Sequence, residues 1–205
     1  MSTLAQALTT TAKVKTYLGI TDSASDSVIE LLINQATIFI ENYCGGRKFL
    51  SQAYVDIVDT KNTDKIFFEQ YPVTALTEVA YRSGTISAPV WIAYSVENYL
   101  LYAKAGYVKF FMTLPHSSQG VRLSYTAGYL IDFATETNPL THTLPFDLTM
   151  ACTELVAYKF NEKQSQGISS QSTEGQSVTF KDNKDGMPAS VKEVLGNYKA
   201  FRYAV

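Results

Sequence analysis

The stretch SVIELLINQATIFIENYCGG, residues 27–46, decides the architecture because its apolar residues recur at helical spacing. A helix over this stretch buries a wide stripe made of Val28, Ile29, Leu32, Ile33, Ala36, Ile40, Tyr43 and Cys44. The polar residues on the other side are expected to face solvent: Glu30, Asn34, Thr37 and Glu41. Ser27 and Glu30 have the spacing of a capping box, Ser25 or Asp26 being alternative caps, and Gly45-Gly46 ends the helix.

Working outward, the residues from Tyr54 to Gly128 change to a period of two. Val121, Leu123 and Tyr125 alternate with polar residues, which is typical of a half-buried strand. Turn residues, among them the run Ser117–Gly120, separate short runs of this kind: Tyr54–Val58, Ile66–Glu69, Val73–Tyr81, Val90–Val96, Tyr99–Ala103, Tyr107–Phe111 and Val121–Thr126. The pattern predicts an antiparallel β unit of five to seven strands.

Helical patterns flank this β unit on both sides. Thr9-Thr10 and Gly19 bracket a short helix near the N-terminus, and Pro145 opens a helix with the stripe Leu148, Ala151, Cys152, Leu155 and Val156. The Ser- and Gln-rich stretch Gln164–Gln176 is predicted to be a mobile loop, followed by a short strand, Ser177–Phe180. Pro188 opens a last helix with Val191, Val194, Leu195, Tyr198 and Phe201 on one face.

The predicted fold class is therefore α+β: a helical bundle built from both chain ends with an inserted antiparallel β unit. The expected divisions are residues 1–50 for the N-terminal helices, 51–130 for the β unit and 131–205 for the C-terminal helices. The last of these contains the polar loop 164–176 and the closing helix 188–203.

The composition excludes several classes of protein. The chain has 205 residues, a net charge of −2 and 18% charged residues, and it contains no apolar run of the roughly 18–20 residues that span a bilayer. The segment Met1–Thr11 lacks the pattern of a signal peptide. The sequence contains no Lys/Arg cluster of the kind that a dedicated nucleic-acid binder carries. Ser and Thr number 39 against 36 charged residues, and 14 Tyr are present, so a surface suited to contact with other proteins is expected.

Catalytic, metal and cofactor sites are all predicted to be absent. The sequence contains His116 and His142 but no Gly-x-Ser-x-Gly nucleophile motif, and no other pattern places either histidine in a catalytic triad. Cys44 and Cys152 lie in apolar helical stripes, where a small buried thiol is the ordinary interpretation, and the Cys and His spacing does not suit zinc. Gly45-Gly46-Arg47-Lys48 follows a helix, whereas phosphate binds where a helix begins.

The chain end carries three aromatic residues close together, Tyr198, Phe201 and Tyr203. A terminal helix of this kind either docks on its own domain or inserts into the groove of a partner. Both interpretations are open at the level of sequence.

The sequence contains a series of short motifs in a fixed order: Thr9-Thr10 to Ile20 followed by Asp22, Ile29–Ile33, Ile40–Gly45, Tyr71–Val73, Tyr125–Tyr129, Leu144–Leu148, Gly167–Gln171, Ser177–Phe180 and Pro188 with Asn197-Tyr198. Taken together in this order, they resemble the head–tail connector (adaptor) proteins of tailed double-stranded DNA phages. The match covers nearly the whole chain. Gly46 and the long β unit depart from the compact members of the family.

The resemblance implies a structural virion protein of the neck, assembled in the host cytoplasm, with no enzymatic activity, cofactor or membrane contact. It implies a homo-oligomeric ring, a dodecamer, below the portal protein. The ring extends the DNA ejection channel, passes the genomic DNA without sequence-specific binding and forms a platform for a stopper or tail-completion protein. Two residue sets are carried over as interfaces: Val191, Leu195, Tyr198, Phe201, Arg202 and Tyr203 toward the portal, and Gly167, Ile168, Ser169, Ser170 and Gln171 in a loop between ring subunits.

Two other functions remain open on the sequence. The β unit could bind carbohydrate or a receptor as a tail or virion module by stacking sugars on Trp91, Tyr81, Tyr94, Tyr99, Tyr102 and Tyr107. A small hydrolase would use His116 or His142.

Overall fold

The structure, a computed structural model, describes residues 3–85, 87–164, 170–173, 176–179 and 186–200. It is α+β, as predicted, and divides into two compact units. One unit contains Met1–Gly46 with Leu144–Val205, and the other contains Arg47–Thr143. We call them the helical unit and the sheet unit.

The helical unit takes its helices from both ends of the chain. They are α1 (Thr11–Leu18), α2 (Asp26–Tyr43), α3 (Phe146–Gln164) and α4 (Ala189–Gly196). The Thr10 hydroxyl caps α1 by accepting the backbone N–H of Lys13 at 3.3 Å, and Gly19 ends this helix with φ 70°. α3 packs against α1, α2 and α4. Its predicted apolar stripe is buried throughout, so α3 is the central element of this unit.

The predicted solvent face of α2 is wrong. Thr37 and Glu41 are buried at 0% and 1% exposure, and the segment that precedes α1 runs along Asn34 and Thr37. There the backbone N–H of Leu4 donates to Asn34 Oδ1 at 2.8 Å, and that of Leu8 donates to Thr37 Oγ1 at 3.3 Å. Asn34 and Thr37 thus satisfy backbone N–H groups of a non-helical segment, which is exposed at Leu4 and buried at Leu8.

The start of α2 also differs from the capping-box prediction. Ser25, one of the alternatives, occupies the N-cap position, and its side chain makes no capping hydrogen bond. Ser27 lies inside the helix, whereas a capping box requires the serine at the N-cap position.

In its described residues the sheet unit contains seven strands, one for each predicted run. They are β1 (Gln52–Thr60), β2 (Thr63–Phe67), β3 (Val73–Gly84), β4 (Pro89–Ala93), β5 (Tyr99–Tyr102), β6 (Tyr107–Leu114) and β7 (Ser117–Ala127). All pair antiparallel, in a large sheet of order β1-β7-β3-β4 and a small sheet of order β2-β6-β5. Side chains of both sheets form one core, which includes Val108, Phe110, Leu123 and Tyr125.

Two boundaries within this region differ from the prediction. The run Ser117–Gly120, predicted as a turn, is the first part of β7, because Ser117 pairs with Thr60 and the backbone N–H of Gln119 donates to Asp59 Oδ1 at 2.7 Å. Residues 131–143, grouped by sequence with the C-terminal helices, belong to the sheet unit. Leu130 and Thr143 bind each other there through two 2.9 Å hydrogen bonds.

The predicted polar loop contains a strand. β8 (Ser170–Thr173) pairs antiparallel with β9 (Gln176–Thr179), which matches most of the predicted strand Ser177–Phe180. Only Glu174 and Gly175 separate them in sequence, which is the spacing of a short hairpin. Phe180 lies outside the described residues.

A buried carboxylate organises the core of the sheet unit. Tyr125 donates its hydroxyl to Asp56 Oδ2 at 2.5 Å, and the backbone N–H of Glu69 donates to the same oxygen at 3.2 Å. The Tyr125 hydroxyl in turn accepts the backbone N–H of Gln70 at 3.1 Å. Burial raises the pKa of Tyr125 well above its usual range, and its bond to Asp56 adds to this shift, so the hydroxyl keeps its proton and remains a donor.

Tyr125→Phe should destabilise the sheet unit by about 1–3 kcal/mol, because it removes the hydroxyl donor from the buried Asp56 carboxylate. Urea unfolding followed by the fluorescence of Trp91, the single tryptophan, measures this unit directly. Tyr54→Phe is the matched control, since the Tyr54 hydroxyl bonds the exposed Gln52 side chain. Equal midpoints for wild type and Tyr125→Phe would contradict the role given to this hydroxyl.

Candidate functional site

Many large apolar side chains remain exposed, and two groups of them share a face. Single exposed hydrophobic residues are ordinary, whereas a shared face indicates a contact surface. The first group lies on α2 and the second on the small sheet.

The exposed side of α2, which we call the α2 outer face, carries Ser27, Leu31, Gln35, Ile38 and Asn42. Leu31 and Ile38 are 52% and 46% exposed, and they are seven residues apart, so they lie on one side of the helix. This face has no charged residue. Apolar spacing does not reveal this face, because it identifies the buried stripe but assigns the opposite side to Glu30, Asn34, Thr37 and Glu41, of which Thr37 and Glu41 are buried.

The outward side of the small sheet, the small-sheet face, contains Lys65, Phe67, Leu100, Tyr102, Tyr107 and Lys109. Strand register arranges them in two rows: Leu100–Lys109–Lys65 and Tyr102–Tyr107–Phe67. Leu100 and Tyr102 are 49% and 40% exposed, and Phe111, two residues beyond Lys109 on β6, is 66% exposed. The alternate side chains of β6, Val108 and Phe110, enter the core, so this strand is apolar on both sides.

The aromatic rings of the small-sheet face pack on one another. Tyr102 and Tyr107 stack with centroids 4.7 Å apart and an interplanar angle of 16°, and Phe67 lies 5.4 Å from Tyr107 on a tilted plane. Lys65 Nζ lies over the Tyr107 ring at 5.4 Å. The Tyr107 ring is therefore enclosed by its neighbours and offers little open ring face to a ligand.

The aromatic residues proposed to stack on sugars are dispersed. Tyr94 and Tyr99 pack against the core, where burial raises the pKa of each hydroxyl, with Tyr81 adding to the shift at Tyr94. Trp91 lies on β4 in the large sheet with the Arg122 guanidinium 5.0 Å from its ring. The structure does not assemble these side chains into one platform.

The closing helix docks on its own unit. Val191 and Leu195 are fully buried, which favours the first of the two interpretations of this helix. The Tyr198 hydroxyl donates to Asp147 Oδ1 at 2.7 Å, and the backbone N–H of Ala200 donates to the Cys44 carbonyl at 2.8 Å. The helix ends at Gly196, short of the predicted residue 203.

Several predicted interface residues are not part of the described structure. Phe201, Arg202 and Tyr203 of the portal-facing set and Gly167, Ile168 and Ser169 of the loop lie outside the described residues. Ser170 and Gln171 are in β8.

Comparison with known families identifies the chain. The sequence profile of the head completion proteins matches residues 7–201. The chain belongs to the head completion protein family. This confirms the resemblance to head–tail connector proteins, and it makes the chain a structural virion component and not an enzyme.

Solved structures with the same fold come from phage-like particles. A chain from the neck of an empty gene transfer agent particle, computed with C6 symmetry, superposes with a TM-score of 0.58 at 17% identity, covering 99% of this chain and 95% of that one. A chain from the neck of the native particle, computed with C12 symmetry, gives 0.56 at 16% identity, covering 99% and 94%. A chain from the native virion gives 0.55 at 17% identity, with 99% and 95% covered. Comparison with curated proteins gives no match.

In this head completion protein, three of the residues considered for chemistry, His142, Cys44 and Cys152, are buried, whereas His116 is exposed between β6 and β7. His142 is buried, and its Nδ1 accepts the backbone N–H of Asp132 at 3.1 Å. Burial raises the pKa of the Cys152 thiol to about 12, so it stays protonated, and Cys44 is also buried. Within the described ranges, no group of three His, Cys, Asp or Glu side chains could hold a metal ion. None of the helices described is long and apolar enough to span a membrane.

Leu195→Ala should lower the stability of the helical unit by roughly 2–5 kcal/mol, because it opens a cavity beside α3. Thermal unfolding followed by far-ultraviolet circular dichroism measures the loss. Glu193→Ala, on the exposed side of the same helix, is the control and should unfold at the wild-type temperature. A wild-type melting temperature for Leu195→Ala would mean that α4 is not part of this core.

Proposed function

We propose that this head completion protein is a head–tail connector that forms a homo-oligomeric ring in the neck of the virion, below the portal. The ring extends the DNA channel and provides the platform on which a stopper or tail-completion protein attaches. The observation that carries the proposal is the family match over residues 7–201, joined to a fold shared over nearly the whole chain with proteins of particle necks. Assembly would take place in the host cytoplasm, before or during attachment of the tail.

The symmetries of the similar structures support a ring of twelve. One neck was computed with C6 symmetry and the other with C12 symmetry. A twelvefold ring satisfies both, because a sixfold rotation is contained in a twelvefold one. A sixfold ring satisfies only the first.

The surface of the helical unit supports lateral contacts between subunits. A ring requires two different patches on each subunit that meet head to tail. In the proposed ring, the helices from both chain ends form a bundle, and the uncharged α2 outer face is one of these patches, since burying Leu31 and Ile38 removes apolar surface from water. The residues Gly167–Gln171 are proposed to contact a neighbouring subunit as well.

The described arginines are bonded within the protein, which supports the proposal that DNA passes through the channel without being held. Arg47 is buried and its guanidinium donates to the Tyr71 carbonyl at 2.7 Å and 3.1 Å. Arg82 donates to the Ser118 carbonyl at 2.7 Å, and Arg122 pairs with Glu78 at 2.6 Å. Because each phosphate contact adds affinity, a conduit whose arginines are engaged within the protein holds its DNA weakly.

The portal contact is proposed to lie at the chain end. Val191 and Leu195 are occupied in the core, so the groups left for a portal groove are Phe201, Arg202 and Tyr203. The bonds of Tyr198 and Ala200 to the helical unit fix the position from which these residues follow.

The direct test mixes the protein with the portal protein of the same genome and weighs the complex by native mass spectrometry. A closed multimer bound to portal, with twelve copies, is the expected result. Absence of any complex with intact portal would overturn the proposal.

The double variant Leu31→Asp/Ile38→Asp should fold, bind portal as separate subunits and fail to close the ring, because it places two carboxylates in the proposed apolar contact. The same mass measurement counts the bound subunits, and circular dichroism checks the helix. Val96→Asp, at a residue 75% exposed in the sheet unit, is the matched control and should form wild-type rings. A ring of normal stoichiometry from the double variant would exclude the α2 outer face as a contact.

Phe201→Ala/Tyr203→Ala should reduce portal binding at least tenfold without changing the melting temperature, because it removes the aromatic anchors and leaves α4 in place. Titration of labelled portal gives the affinity. Tyr17→Ala, which removes an exposed tyrosine from α1, is the control. Unchanged affinity would move the portal contact away from the chain end.

A further inference from the structure

The small-sheet face has positive charge that its own surroundings leave partly unbalanced. Lys65 and Lys109 stand directly opposite each other on neighbouring strands, a pairing of like charges that is locally unfavourable. Asp64 Oδ2 lies 3.8 Å from Lys109 Nζ, an exposed and therefore weak ion pair. The sequence from Asn98 to Ile131 contains no Asp or Glu.

Another segment of the sheet unit has the opposite charge. The segment 130–141, which we call the Leu140 loop, contains Asp132 and Glu136, and no Lys or Arg occurs between Arg122 and Lys159. Leu140 is 80% exposed. An apolar side chain this exposed is not stabilising the subunit that carries it.

Hydrogen bonds hold the Leu140 loop in one shape. Asp132 Oδ2 accepts the Thr135 hydroxyl at 2.6 Å, a bond that is the largest cause of the lowered pKa of Asp132, and the Thr135 and Thr141 hydroxyls lie 2.5 Å apart. The Leu140 backbone N–H donates to Asn138 Oδ1 at 3.0 Å. A loop that is ordered before binding loses less conformational entropy when it docks.

We propose that the Leu140 loop of one copy docks on the small-sheet face of the next copy in the ring. Leu140 would pack between Leu100 and the Tyr102–Tyr107 pair, and the carboxylates of Asp132 and Glu136 would lie toward Lys65 and Lys109. The contact rests on the proposed ring and adds a second, charge-matched contact to that of the helical unit.

A second copy fits this face better than other occupants for two reasons. The complementary surface is present on the same chain, and two different patches that recognise each other join copies head to tail, as a ring requires. The enclosed Tyr107 ring is poorly suited to stacking on a sugar or a nucleobase, whereas the aliphatic and aromatic side chains that surround it suit a leucine.

Cysteine cross-linking tests the contact because Cys44 and Cys152 are both buried, which keeps their thiols away from thiols introduced at the surface. In the portal-bound complex, Leu100→Cys/Leu140→Cys should form, on mild oxidation, a ladder of disulfide-linked multimers up to the ring size. A mixture of the two single variants should give disulfide-linked dimers and nothing larger. Each single variant alone should give no disulfide-linked species. Val55→Cys/Leu140→Cys, with an exposed thiol on β1 of the large sheet, is the control and should give no ladder.

A matched pair of variants tests the proposed attraction between the lysines of the small-sheet face and the carboxylates of the Leu140 loop. Lys65→Glu in the Leu100→Cys/Leu140→Cys background should slow cross-linking at low salt by about tenfold, since like charges now meet. Lys61→Glu makes the same charge change in the turn between β1 and β2 and should leave the rate unchanged.

The outcomes separate this contact from the ring itself. A closed ring on portal without a ladder, or dimers from either single variant alone, would overturn the contact and leave the connector function standing. Absence of any closed multimer of the wild-type protein on portal would overturn the connector function, and the proposed contact with it.

Discussion

The fold depends on closing the sheet unit at its own two ends. The backbone N–H of Ser51 donates to the Tyr129 carbonyl at 2.8 Å, and that of Tyr129 donates to the Phe49 carbonyl at 2.7 Å. Gly128 makes this approach possible, because its φ is 109° and a Cβ there would lie 2.7 Å from the Leu50 carbonyl oxygen. Because the two ends of the sheet unit are held together, α2 and α3 can pack as though Arg47–Thr143 were a short connection. Contacts within the sheet unit offset the entropic cost of closing this long loop.

The helices show what apolar spacing can and cannot predict. Spacing identified the buried stripe of α2, since burial of every third or fourth residue follows from helix geometry. It could not show that the segment before α1 would cover Thr37, because that segment has no periodicity of its own and is held by hydrogen bonds from its backbone to the side chains of Asn34 and Thr37. Leu31 and Ile38 were consequently not recognised as exposed. Similarly, the buried stripe of α4 could be counted from sequence, but whether α3 or another protein covers it depends on tertiary packing.

In the sheet unit, alternation located all seven strands but not their partners. β2, β5 and β6 form a separate sheet from β1, β3, β4 and β7, and no local pattern encodes that division. The small-sheet face illustrates the consequence. Leu100, Tyr102 and Phe111 are ordinary strand residues in sequence, and they form a surface only because pairing aligns Leu100 with Lys109 and Tyr102 with Tyr107. The aromatic residues proposed for sugar binding are dispersed for the same reason, since they lie on different sheets and against the core.

The hydroxyl-rich composition was expected to provide a surface for contact with other proteins, but several of these hydroxyls form hydrogen bonds within the subunit. The Thr9 and Thr153 hydroxyls bond each other at 2.7 Å in the interior of the helical unit, and Thr37 binds the backbone of Leu8. Thr135 and Thr141 stiffen the Leu140 loop. Many hydroxyls thus satisfy polar groups within the subunit, while aliphatic and aromatic side chains are left uncovered at its surface. In the proposed ring, this division would let apolar burial supply the strength of the subunit contacts, and a small number of lysines and carboxylates would select which faces meet.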